Sequence, residues 1–194
     1  NLLISNIGFH GFSGFFSIVL ISVLTSFFTS HGYIHNFILH SIGVFYFIFQ
    51  ITKNKNFNLK KEVYYLIILS LLLVISLYIF KTHDDFPYYH LTFTQNLSEN
   101  KFIIGTGIFS HGFRTFSSLF YFNSTLYLPF IKLYLFHLGP FLILLFFNFV
   151  VIKKIFESFK IKNIDLNFYL KILSFIFVNV VFYRLGEHGT DRSA

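Results

Sequence analysis

The chain contains no cysteine, no methionine and no tryptophan, and it has only three prolines and eight acidic residues in 194 positions. Without cysteine it has no disulfide, no thiol nucleophile and no thiolate metal site, and the composition leaves the redox compartment open. No methionine stands at position 1, and the chain stops at Ala194 soon after a polar turn. It therefore reads as an internal piece of a larger polytopic protein. A basic secretory leader is not evident, nor is an internal repeat, a low-complexity linker or a second, soluble domain. The scarcity of acid gives weight to any place where two carboxylates stand together.

What is abundant is apolar. Hydrophobic residues make up 55% of the chain and charged residues 12%, and mean hydropathy is +0.66. The 32 phenylalanines, alongside many Lys, Asn and Ile, read as the imprint of an AT-rich genome rather than as a special aromatic function. Apolar residues fall in long runs separated by short polar stretches, and a hydrocarbon core of about 30 Å takes about 20 helical residues to cross. The expected fold is all-α, a multi-pass transmembrane helical bundle forming one domain over residues 1–194. Its spans are expected at approximately Phe12–Thr29, Phe37–Thr52, Val63–Phe80, Leu126–Ile152 and Leu166–Tyr183, with a long outer loop over 81–125 that carries an amphipathic helix. The fourth span contains Lys132, His137 and Gly139-Pro140. Proline removes a backbone donor and clashes one turn back, which predicts a kink or break near Gly139 and makes Leu126–Leu138 an interfacial or re-entrant piece. Lys132 and Lys171 lie near span ends and are expected to snorkel.

Charge orients the bundle. Lys53, Lys55, Lys60 and Lys61 lie in one short connection and Lys153, Lys154, Lys160 and Lys162 in another, together eight of the 15 basic residues. The positive-inside rule puts both connections in the cytoplasm. Ser30–Asn36, the loop 81–125 and Arg184–Ala194 then share the opposite face. Topology accounts for the net charge of +7, so it is not read as a nucleic-acid footprint.

Four of the eight acidic residues fall in two clusters on that outer face: Asp84 and Asp85, and Glu187 and Asp191. In His83-Asp84-Asp85-Phe86-Pro87-Tyr88-Tyr89-His90, a carboxylate at the bilayer edge is partly desolvated and a second one resists sharing the site as an anion, so one of the two titrates high and suits general-base work on a hydroxyl. One of the pair also suits the cap of a helix that Pro87 begins, with Tyr88 and Tyr89 at headgroup level. His83 and His90 with the carboxylates offer oxygen and imidazole ligands to a divalent cation. Within Gly105–Thr125, glycines at 105, 107 and 112 permit tight turns and Arg114 offers a planar fork suited to phosphate. That segment reads equally as a loop followed by an amphipathic helix on the bilayer, with Arg114 meeting headgroups. Arg184–Arg192 gathers Glu187, His188, Asp191 and Arg192 in a dense polar turn.

An acidic pair at the start of a long outer loop, Asp84 and Asp85, followed by an aromatic and amphipathic stretch, resembles the GT-C superfamily of integral-membrane glycosyltransferases and is similar to uncharacterised bacterial multi-pass GT-C-like proteins. The likeness covers about Val63–Thr125. It implies Asp84 or Asp85 as the base that activates the acceptor, Arg114 as a contact to the donor phosphate, and a sugar carried on a polyprenyl phosphate as donor. His83, His90, Glu187, His188, Asp191 and Arg192 are expected to complete the substrate site, the last four without a family counterpart. It further implies an inverting transfer to a cell-envelope acceptor, membrane lipids and the lipid-linked donor as partners without nucleic acid, a divalent metal (Mg or Mn) as the possible cofactor, and a place in the bacterial inner membrane with the acidic clusters outside. In that family the acidic motif usually follows the first span, whereas here two spans precede the one leading into it. A surface-polysaccharide polymerase or ligase is the alternative among enzymes. A transporter or flippase is the alternative outside them, kept open by His137 and the Gly139-Pro140 break.

Overall fold

The computed structural model describes residues 6–53, 57–78, 86–109, 111–114, 117–162 and 164–181. Over those residues the protein is helical, without a β-strand: α1 is Ile7–Ser26, α2 Tyr33–Lys53, α3 Phe57–Tyr78, α4 Leu91–Glu99, α5 Ser118–Thr125, α6 Leu138–Lys160 and α7 Leu166–Val181. A π-helical turn, Phe86–His90, leads into α4, and short 3-10 turns cover Thr106–Ile108 and His111–Arg114. Three helices, α1, α2 and α6, are long and apolar enough to cross a membrane, and α7 is a shorter apolar helix.

Helix α6 is the centre of the packing and touches α1, α3, α5 and α7. Its approach to α1 depends on small residues: a Cβ on Gly8 would lie 2.6 Å from Val150 Cγ2, and one on Gly11 would run into the Phe146 ring. Close backbone approach of this kind supplies the dispersion contacts that join helices where lipid removes the hydrophobic drive. Between α6 and α7 the side-chain amides of Asn148 and Asn179 exchange hydrogen bonds, Nδ2 to Oδ1 in both directions at 3.0 and 2.7 Å. Lys171 Nζ reaches back to Ser158 Oγ at 2.7 Å.

One end of the helices carries the lysines. There Glu62 accepts from Lys153 Nζ at 2.5 Å and from the Ile7 backbone N–H at 3.0 Å. Asn6 Oδ1 takes the Gly8 N–H at 2.9 Å. Two orphan donors of the α1 N-terminus are thus satisfied, one by a carboxylate that also suits the helix dipole. The same contacts bring the starts of α1 and α3 to the end of α6, the arrangement that alternating helices require.

At the other end the stretch between α3 and α6 folds into a cap. Helix α4 is amphipathic and buries Phe93, Thr94, Leu97 and Ser98. Helix α5 is different: every residue from Leu119 to Thr125 is buried, packed against α1, α4 and α6. A helix lying on the bilayer, one of the two expectations for this segment, does not describe α5, because Leu119–Thr125 is enclosed by protein. Phe15 packs on Phe122 with ring centroids 4.4 Å apart, and Phe93 on Phe120 at 5.3 Å.

The expected fourth span, Leu126–Ile152, is not one helix. Residues 126–137 make turns, with Lys132 N donating to Leu128 O at 2.8 Å and left-handed φ at Phe130 (68°) and Lys132 (50°). The helix starts only at Leu138, where Pro140 fits a first turn but not an interior. Lys132 consequently stands in an exposed turn outside any helix. The second and third helices begin several residues before the expected Phe37 and Val63, because Tyr33–Asn36 and the Lys60-Lys61-Glu62 turn are wound into them.

Candidate functional site

The polar side chains that the structure does bring together lie where the α1–α2 connection meets α5. His31, Ser22, Asn36, Ser124 and Thr125 are all fully buried there. Ser22 Oγ and Ser124 Oγ both donate to the Tyr121 carbonyl, at 2.7 and 2.8 Å. Each hydroxyl has one proton, so the 2.6 Å contact between Ser124 Oγ and His31 Nδ1 is donated by the imidazole. That assignment fixes the tautomer and leaves Nε2 unprotonated, 3.3 Å from Thr25 Oγ1, whose single proton lies within reach of Ser22 O at 3.2 Å. Asn36 Nδ2 lies 2.7, 2.8 and 2.9 Å from the carbonyl oxygens of His31, Ser124 and Tyr127. Asn36 Oδ1 in turn accepts from His35 Nδ1 at 2.9 Å.

His35 stacks on His31 with centroids 4.9 Å apart and meets Thr25 Oγ1 through Nε2 at 3.1 Å. His40, one helical turn beyond Asn36, donates from Nε2 to Thr125 O at 2.9 Å. Tyr33 OH donates to Tyr127 OH at 2.9 Å, the two rings stacked. Burial, with His35 beside it adding to the effect, holds His31 well below the usual histidine range, at about 4, against an opposing push from its bond to Ser22. The imidazole is neutral at physiological pH. It behaves as a scaffold between α1, α2 and α5, because its donor is spent on Ser124 and its ring is packed on His35.

A trace of this network stands in the chain: Asn36 and His40 are four apart, as are His31 and His35, each pair interrupting an apolar run. Spacing of this kind places two polar groups on one helix face. What it does not announce is that α5 supplies the matching carbonyls.

Of the residues expected at the site, His90 and Arg114 are described, while His83, Asp84, Asp85, Glu187, His188, Asp191 and Arg192 lie outside the described residues. His90 is fully buried, its ring 4.3 Å from Tyr89 and 5.3 Å from Phe120 by centroid. A metal or sugar contact at this imidazole does not fit its enclosure in the aromatic interior of the cap. Among the described residues no group of three or more His, Asp or Glu side chains is placed to hold a metal ion.

Arg114 has the opposite setting. It is exposed, and its Nε donates to Gly107 O at 2.9 Å, which fixes the guanidinium plane. A Cβ on Gly107 would lie 3.0 Å from Arg114 Cγ, and one on Gly112 would meet Tyr89 Cβ at 2.5 Å. The Arg114 turn therefore rests on the turn Phe86–His90, which follows Asp85 by one peptide bond. Ile104, Ile108 and Phe109 around it are more than four-fifths exposed, so the cation stands among apolar side chains, a composition matched to the headgroup layer.

A groove of about 420 Å³ lies below the cap between α1, α6, Phe122 of α5 and the turns that carry Leu126, Leu128 and Leu135, with His40 of α2 as its polar residue. No family model, curated protein or solved structure matches the chain.

Proposed function

We propose that this protein is a multi-pass membrane glycosyltransferase of GT-C type, acting at the cap end on a sugar carried by a polyprenyl phosphate. The observation that carries the reading is Arg114: a guanidinium oriented through its Nε, exposed, surrounded by apolar side chains, and seated on the turn that leads directly from Asp85. A planar fork held in this way suits a lipid phosphate. The acid pair one peptide bond before that turn suits the base, which takes the proton of the acceptor hydroxyl as the hydroxyl oxygen bonds to the anomeric carbon and the lipid phosphate departs toward Arg114. The lysines at the far end set that end in the cytoplasm and the cap outside. The broken stretch before Gly139-Pro140 favours, as a second reading, a flippase for the same class of lipid.

The test is transfer from a polyprenyl-phosphate sugar by protein in liposomes, wild type against Asp84→Asn and Asp85→Asn. Loss of the base lowers turnover by about 10² to 10⁴-fold in at least one variant while donor binding persists. Full activity in both removes the pair from the mechanism, and lipid translocation without transfer establishes the second reading.

A further inference from the structure

We propose that the cap is sunk into the outer leaflet and that two of its turns, 103–109 and 129–134, form a contact surface for anionic phospholipid. The proposal rests on the reading that α1 and α6 cross a bilayer and is independent of the transfer reaction.

Depth follows from the contacts to α1. A Cβ on Gly8 would meet Val150 and one on Gly11 the Phe146 ring, so α1 and α6 run antiparallel from a common level at the lysine end. From that level α1 rises about 27 Å to Ser26, whereas α6 rises only about 18 Å to Leu138. Helix α6 therefore begins about 9 Å short of the outer end of α1. Helix α5 lies at a similar depth: Phe122 packs on Phe15 at 4.4 Å, and Tyr121 O accepts from Ser22 Oγ at 2.7 Å. Phe102 N donates to Ser26 O at 2.7 Å, which sets the start of the turn 103–109 level with the last residue of α1. A hydrocarbon core of about 30 Å laid along α1 reaches all of these.

What the two turns present fits that depth. Ile104, Ile108 and Phe109 on the first and Phe130 on the second are each more than four-fifths exposed, Phe130 at 99%. Phe130 and Lys132 hold left-handed φ of 68° and 50°, a conformation unfavourable for L residues, and the Lys132 N–H closes the tip on Leu128 O at 2.8 Å. So exposed a ring gains almost nothing inside the chain to offset that strain, and hydrocarbon supplies the missing burial. Charge selects the lipid. Residues 86–137 contain one acid, Glu99, against Lys101, Arg114 and Lys132. Both turns thus have a long basic side chain close in sequence, able to rise from apolar depth to a lipid phosphate.

The chain has no tryptophan, so Phe109→Trp and Phe130→Trp each place a single fluorophore at an exposed site. Leu173→Trp on the exposed face of α7 and Lys160→Trp at the lysine end serve as hydrocarbon and aqueous references. The full chain is reconstituted in vesicles of phosphatidylglycerol and phosphatidylcholine in equal parts, with bromine in the acyl tails of one or the other, and iodide is added on both sides. Expected at both tips is quenching by brominated tails comparable with Leu173→Trp and little quenching by iodide. Phe130→Trp should also show an about fivefold preference for phosphatidylglycerol, the factor that one cation near the headgroups brings, and Lys132→Gln should abolish that preference while the immersion persists. Iodide quenching at either tip to the extent seen for Lys160→Trp overturns the proposal, because that turn then stands in water. Failure of both quenchers overturns it too, because protein then covers the turn. Equal quenching by the two brominated lipids removes the anionic partner. Iodide quenching of Leu173→Trp itself refutes the membrane reading, and the proposal with it.

Discussion

The two ends of the helices treat polarity in opposite ways. At the lysine end the polar groups are charged and mostly at the surface, and the contact that joins α1, α3 and α6 is one carboxylate, Glu62, shared between Lys153 and a helix N-terminus. At the cap end the polar groups around His31 are neutral and fully buried, and their bonds tie the α1–α2 connection and α2 to α5. Charge at an exposed end states which way the helices face and contributes little rigidity, because water and salt screen it. Neutral groups in a dry interior do the reverse. They carry no orientation signal, yet an unmade bond there is costly, so they fix one geometry.

Three measurements break or sharpen that contrast. The largest effect is expected for Asn36→Leu, which strips the two N–H donors shared among the carbonyls of His31, Ser124 and Tyr127. Detergent-titrated unfolding should show a loss of about 3 to 5 kcal/mol, since each buried carbonyl left bare costs about 1 to 3. A loss below 1 kcal/mol would mean that water replaces the amide and the cap is not dry.

Next comes acid. His31 is held at about 4 in the fold and returns to about 6.5 on unfolding. Between those values the unfolded chain binds a proton that the fold refuses, so stability is complete above about pH 6.5, falls as pH drops toward 4, and levels below. The decline amounts to about 2 to 3 kcal/mol, and His31→Gln should flatten it. A slope that survives this substitution belongs to another group.

Glu62→Gln at the lysine end should cost least, about 1 kcal/mol. The paired side chains keep 16% and 24% of their surface in solvent, and the amide oxygen still accepts from Ile7 N–H. Its effect should shrink further in high salt, whereas that of Asn36→Leu should not.

Long helices were legible in the chain because runs such as that of Ile7–Ser26 are apolar over the length that a bilayer demands, and the break before Gly139-Pro140 was legible because proline leaves few places to stand. The side on which the lysines gather could be read from counting alone. The cap was not. Ser118–Thr125 reads as an amphipathic surface helix since Asn123, Ser124 and Thr125 are polar, but Ser124 and Thr125 turn to carbonyls of their own helix and Ser124 also meets His31, and a polar residue satisfied within its own layer is as buriable as leucine. His90 misled for the converse reason. Placed beside two carboxylates in the sequence it looks like a ligand, whereas the π-helical turn directs it into the phenylalanines. Arg114 was legible as a phosphate-shaped group, and its lock to Gly107 O was not, because a contact seven residues back depends on two successive 3-10 turns.

Helix α2 is bound to the rest of the protein through its first turns, Tyr33 to His40, and every residue from Ser41 to Phe49 is exposed. Mechanically it is a lever with its pivot at Asn36 and an arm of about 25 Å. A tilt of about 10° at the pivot carries the Lys53 end through about 4 Å. Because His40 sits just beyond the pivot and forms one lip of the groove, the same tilt sets how wide that groove stands, and whatever grips the far end of α2 becomes the handle.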